Sequence, residues 1–136
     1  MANFHFELVS PAKLLFSGDV EQVDVPGAEG DFGVLAEHAP MVTTLRPGIL
    51  TVHTAGGEQK IVVLGGFAEV SADGLTVLAD VAEAVEDFDR SLISERVSEL
   101  ESRIQKMDVG LELDKLLTQL DHFKEVDRHL SGTGMH

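Results

Sequence analysis

Residues 1–86 read as a β-sandwich or flattened barrel and residues 87–136 as an antiparallel two-helix hairpin, so the chain is predicted to be of the α+β class. Three observations predict this. Up to Glu86, short apolar runs rich in Val, Ile, Leu, Phe and Thr alternate with frequent turn residues. After Glu86 the hydrophobic period changes from about two to about 3.6 residues. The second half then carries two apolar stripes separated only by Asp108-Val109-Gly110.

The β elements follow in order. Asn3 to Val9 opens the series, and Val20 to Val25 alternates apolar and polar as a half-buried strand should. Gly48 to Thr54, Glu58 to Leu64, Phe67 to Ser71 and Leu75 to Ala79 are further strand-like runs. Ala55-Gly56-Gly57 and Ala72-Asp73-Gly74 read as hairpin turns, while Pro26-Gly27, Pro40 and Pro47-Gly48 punctuate the rest.

The helical half begins near Asp87, a candidate N-cap, with Asp89 favouring the positive end of the helix dipole. Leu92, Ile93, Val97, Leu100, Ile104 and Met107 make the first stripe; Leu113, Leu116, Leu117, Leu120, Phe123, Val126 and Leu130 make the second. Ser131 to His136 follows no pattern and is expected to fray. A lone hairpin of this size is marginal in water, so it must lean on the β part, on another chain, or on each in turn.

Composition narrows the function. With 43% hydrophobic residues over 136, the chain can build a core. It has no cysteine, hence no disulfide and no thiolate metal site, which suits a reducing compartment. No apolar run approaches the length of a membrane span, and the start, MANFHFELVS, is not that of a secretory signal. The net charge of −14 argues against nucleic acid and against adhesion to anionic lipid. The charge divides unevenly: residues 1–86 hold three basic and thirteen acidic side chains, and residues 87–136 hold seven and eleven.

The search for chemistry returns nothing that assembles. His5, His38, His53, His122, His129 and His136 are scattered without metal-ligand spacing; His122 and His129 are two turns apart, roughly 10 Å, too far to share an ion. There is no nucleophile elbow, no phosphate-binding lysine loop and no dinucleotide fingerprint. The glycine-rich run from Pro26 to Gly33 is acidic, which is wrong for a phosphate and right for a tight β-connection. No enzyme activity, metal or cofactor is expected.

Three stretches together carry a resemblance. They are FELVSPAKLLFSGDVEQVDVPG at the start, GAEGDFGVLAEHAPMVTTLRPG over residues 27–48, and VLADVAE over residues 77–83. They are similar to the epsilon subunit of bacterial F-type ATP synthases (delta in mitochondria), strongly over residues 4–86 and more weakly over the helices. The middle stretch meets every fixed position of the family pattern G-x-x-G-x-x-G-x-x-x-x-H-A-P-x-x-T-x-x-x-P-G.

The resemblance implies a β-sandwich of about ten strands followed by a helical hairpin. It implies a non-catalytic rotor subunit that binds gamma and the c-subunit ring at the foot of the central stalk. Such a subunit couples ring rotation to the catalytic head and is held at the cytoplasmic face of a bacterial inner membrane through the complex. An extended hairpin would reach the catalytic alpha and beta subunits and restrain ATP hydrolysis; here the hairpin is expected to stay folded and to restrain it weakly.

Two residues, Asp31 and His38, fall where family loops meet the ring and the base of gamma, with Asp31 expected to face a basic ring loop. The ATP motif of some relatives, I-D-x-x-R-A, survives only as Asp89; Leu92 and Ile93 replace its arginine and alanine, so nucleotide binding is not expected. Read without the resemblance, the alternative is a free-standing β-sandwich binding module with a dimerising hairpin.

Overall fold

A computed structural model describes residues 2–132, with the side chains of residues 131 and 132 outside that description. The chain divides between Val85 and Glu86 into two compact units. The first holds eight strands: β1 (Phe4–Val9), β2 (Leu14–Val20), β3 (Gln22–Gly27), β4 (Gly30–Leu35), β5 (Met41–Thr54), β6 (Gly57–Ser71), β7 (Gly74–Ala79) and β8 (Ala82–Ala84).

One hydrogen-bonded sheet runs β2-β1-β7-β6-β5-β3-β4, with β8 pairing β6. It is antiparallel throughout except between β1 and β7. The two long strands give it its sandwich character. Next to β7, β6 uses Gly66–Ser71; next to β8 it uses Ile61–Val63. The change of partner falls at Gly65 and Gly66, whose φ angles of 98° and 121° a side chain would disfavour. A Cβ on Gly66 would also lie 2.1 Å from the Leu78 carbonyl oxygen. Phe6, Leu8, Val23, Val25, Leu50, Val52, Ile61, Val63, Val70, Leu75 and Val77 share the core between the layers.

Several boundaries differ from the sequence expectation, each for a physical reason. Eight strands stand where about ten were implied, because β5 and β6, 14 and 15 residues long, each serve both layers. Gly48–Thr54 and Phe67–Ser71 are thus halves of longer strands. Pro26-Gly27 and Pro47-Gly48 lie inside β3 and β5 and are not turns. Pro26 is tolerated where the β3–β5 ladder shifts register between Asp24 and Gly27, a site where a missing N–H costs little. The run Val20 to Val25 is broken at Glu21, whose N–H donates to the His53 carbonyl at 2.8 Å; Val20 ends β2 and Gln22 starts β3.

A 3₁₀ turn (Val85–Asp87) begins on the last residue of the first unit, and the second unit holds α1 (Ser91–Gln105) and α2 (Leu111–Gly132). The helix starts later than Asp87: the residue before its first turn is Arg90, which makes no side-chain cap bond, while Asp89 Oδ1 accepts from the Ser91 N–H at 2.9 Å. Ile93 and Leu100 are buried on α1, and Leu116, Phe123, Val126 and Leu130 on α2. Leu117 is 45% exposed and lies off the stripe. The two helices pack against each other, and Arg90 to Asp127 at 2.8 Å and Lys124 to Glu101 at 3.6 Å tie them in antiparallel order. Of the tail expected to fray, Ser131 and Gly132 continue α2, and residues 133–136 lie outside the described residues.

Candidate functional site

Asp31 is the second residue of β4, paired with Pro26 across the β3–β4 hairpin and 73% exposed at its side chain. It does not stand alone. Arg46 on β5, only 15% exposed, pairs its Nη2 with Asp31 Oδ1 and donates through Nη1 to the Gly27 carbonyl at 2.6 Å. One guanidinium therefore bridges a carboxylate and a backbone carbonyl of the same hairpin, a geometry that a planar fork provides and an ammonium does not. The Ala28 N–H adds a bond to the Thr44 carbonyl at 2.9 Å.

His38 lies on the loop between β4 and β5. Its Nδ1–H donates to the Ala39 carbonyl at 2.7 Å, and its ring sits 6.4 Å from that of Phe32, tilted by 44°. Glu37 beside it takes φ 67°, a left-handed conformation rare for a side-chain-bearing residue. Asp31 and His38 thus flank Phe32, one beside the hairpin tip and one on the following loop.

A larger feature lies on the outer face of β5-β6-β7-β1-β2. The register aligns Phe67 with Leu78, Leu78 with Val9, and Val9 with Leu14, in one row across four strands. Phe67 is 52%, Leu78 50% and Leu14 58% exposed, and Val42, one row away, is 69% exposed. Isolated exposed apolar residues are ordinary; an aligned row of them is a candidate interaction surface. Glu69 and Thr76 supply its polar border.

The remaining polar clusters are structural in form. His53 Nε2 lies 2.7 Å from Asp24 Oδ2 and its Nδ1 3.8 Å from Glu58, while Gln22 donates to Asp24 Oδ1 at 2.6 Å. No nucleophilic side chain bonds to this group among the described residues. Among those residues, no three histidines and carboxylates gather with metal-ligand geometry. Asp89 spends its carboxylate on the start of α1: the Ser91 hydroxyl and N–H hold it below its usual range.

Sequence reasoning singled out Asp31 and His38 but missed Arg46 and the apolar row. Arg46 had no signal, since its carboxylate partner is fifteen residues away. The row did have one. Phe67 precedes the outward-facing Glu69 and Ser71 in phase, and Val77-Leu78-Ala79 is apolar in both phases, as a strand with two apolar faces must be.

Comparison with known proteins gives the family. Residues 3–85 match the model of the ATP synthase delta/epsilon chain β-sandwich domain. Over all 136 residues, and the whole of each relative, the chain is 58% identical to an ATP synthase epsilon chain of Afipia carboxidovorans and 60% identical to one of Rhodopseudomonas palustris. A chain in the mitochondrial ATP synthase assembly of Euglena gracilis (OSCP, F1 and c-ring) superposes with a TM-score of 0.74 at 26% identity, covering 96% of this chain and 82% of that one. A chain of the Tetrahymena thermophila central stalk and c-ring shares the fold, with a TM-score of 0.60 at 14% identity, covering 91% and 96%. A matched domain model, full-length relatives above half identity and a sandwich joined to a helical hairpin agree: the chain belongs to the ATP synthase delta/epsilon family, as a non-catalytic subunit.

Proposed function

We propose that this subunit binds gamma and the c-ring at the foot of the central stalk, turns with them, and couples ring rotation to the catalytic head. The observation that carries the reading is the apolar row Phe67–Leu78–Val9–Leu14. An outer sheet face of this kind fits a partner that stays bound through every turn, because desolvated apolar surface is insensitive to the ionic conditions that loosen charge contacts. The row is assigned to gamma, and the corner formed by Asp31, Phe32 and His38 to the ring.

The two units carry separable roles: residues 1–86 suffice for stalk and ring binding, and residues 87–136 form the hairpin that reaches the alpha and beta subunits when it acts at all. The membrane is met only through the complex, on the cytoplasmic face of a bacterial inner membrane. In support, no helix among the described residues is long and apolar enough to cross a membrane, and a net charge of −14 is repelled by anionic lipid. Mixing the purified chain with gamma should give a tight one-to-one complex by size exclusion and mass photometry, and that complex should capture detergent-solubilised ring. Elution of chain and gamma as separate species would sink the proposal.

A further inference from the structure

The corner assigned to the ring has a feature that a simple charge-complementarity picture does not accommodate. Asp31 was expected to meet a basic ring loop through its own charge, yet its carboxylate already holds an arginine of the same chain. That arginine sits where the sheet most needs it. The β3–β5 ladder shifts register between Asp24 and Gly27, and Pro26 brings no N–H to the gap, so ladder bonding is interrupted just before the hairpin tip. Arg46 fills the interruption with two charge-assisted bonds, to Gly27 and to Asp31. The surroundings are closely packed: a Cβ on Gly27 would lie 2.8 Å from the Gly30 carbonyl oxygen, and one on Gly48 2.7 Å from Pro26 Cβ.

Resting on the ring-docking reading above, we infer that Arg46 is the positioning residue of the β3–β4 hairpin and the internal counter-charge of Asp31, so that the ring meets a shaped corner in which this carboxylate is already paired. A paired Asp31 suits a contact that depends little on this carboxylate's charge, since an ion pair already satisfied within one chain contributes little net attraction to a second cation. It also accounts for the use of arginine. A lysine at this position would supply the charge but could not bridge carbonyl and carboxylate with fixed geometry.

Two measurements on the full chain test this. The first needs no partner: hydrogen exchange at the Ala28 amide, which is bonded to the Thr44 carbonyl, in wild type, Arg46→Gln, Arg46→Lys and Asp31→Asn. Arg46→Gln removes both bonds and should speed exchange about tenfold, whereas Asp31→Asn keeps the Gly27 bond and should speed it only about threefold. Arg46→Lys should fall between. Equal exchange in wild type and Arg46→Gln, or an equal rise in Asp31→Asn and Arg46→Gln, overturns the positioning role.

The second measures affinity for the gamma–ring complex at low and high salt. Arg46→Gln uncovers an anion: it should bind as well as wild type or better at low salt and about tenfold worse at high salt, where screening leaves only the loosened hairpin. Asp31→Asn uncovers a cation and should weaken at low salt but recover at high salt. Arg46→Lys should keep the shallow salt response of wild type. Weakening by the same factor at every salt concentration in Arg46→Gln and Asp31→Asn would overturn the counter-charge role. If wild type binds no ring, the docking reading falls and the counter-charge role with it, while the exchange measurement still decides whether Arg46 holds the hairpin.

Discussion

Replacing Phe67 by Thr should separate binding from folding. Phe67 is 52% exposed on the outer face of β6, and Thr keeps the β-branched preference of a strand while removing the ring. A phenylalanine side chain carries about 150–250 Å² of surface, so the exposed half offers a partner roughly 100 Å². At about 25 cal/mol per Å², full burial of that area contributes roughly 2.5 kcal/mol to docking. The equivalent change in Kd is about seventyfold. Area converts incompletely where interfacial side chains must also be ordered, so a loss of about ten- to seventyfold for gamma is expected. The isolated chain should remain folded but lose some stability, since the other half of the ring packs within the chain; by the same area count its thermal midpoint should fall by no more than about 10 °C. Titration calorimetry of gamma into each protein, with a thermal melt of each alone, gives both numbers. A folded Phe67→Thr chain that binds gamma within twofold of wild type would refute the assignment of this face.

Gly66→Ala tests the fold where β6 changes layers: with φ at 121° and a Cβ 2.1 Å from the Leu78 carbonyl oxygen, it should destabilise by more than about 3 kcal/mol in urea melts, whereas Gly56→Ala in the exposed β5–β6 turn should stay within about 0.5 kcal/mol. Asp89→Ala should lower the thermal midpoint of the hairpin and Asp89→Asn should largely preserve it, because either side-chain oxygen can accept from the Ser91 N–H. The Asp89 carboxyl titrates below its ordinary 3.8 in the folded chain, so its stabilisation is complete above that value and lost as pH falls through the lowered one. The difference in helicity between wild type and Asp89→Ala should therefore be constant from pH 7 to 5 and shrink on further acidification; a difference that grows in acid contradicts a stabilising bond from the Ser91 N–H to the Asp89 carboxylate. Cutting the chain after Glu86 should change the ATPase rate of the catalytic head little at pH 7 to 8. Residues 111–130 hold three basic and five acidic side chains, and one of the three, Lys124, is engaged with Glu101, which leaves little positive charge for an acidic partner; a several-fold rise in rate would contradict this.

The sequence by itself determined the class of each half, because burial on one face leaves a period that can be read along the chain. Alternation up to Glu86 and the three-and-four spacing of Ile93, Val97, Leu100 and Ile104 need no tertiary knowledge. It also determined the absence of assembled chemical motifs and, through the run from Gly27 to Gly48, the family resemblance. Tertiary structure alone decided three things. Layer membership of β5 and β6 was hidden, since Pro47-Gly48 and Gly65-Gly66 look like turn residues in a one-dimensional reading and split each long strand into two short ones. The start of α1 fell beyond both nearby aspartates, at Ser91, whose N–H donates to Asp89 Oδ1. The surface proposed for gamma depended on register. Leu14, Val9, Leu78 and Phe67 come from four strands and form one row only because backbone pairing aligns them, as Arg46 meets Asp31 only because β5 lies beside β3 and β3 beside β4. Such neighbours are set by hydrogen bonding between distant segments, which leaves no trace in the local order of residues.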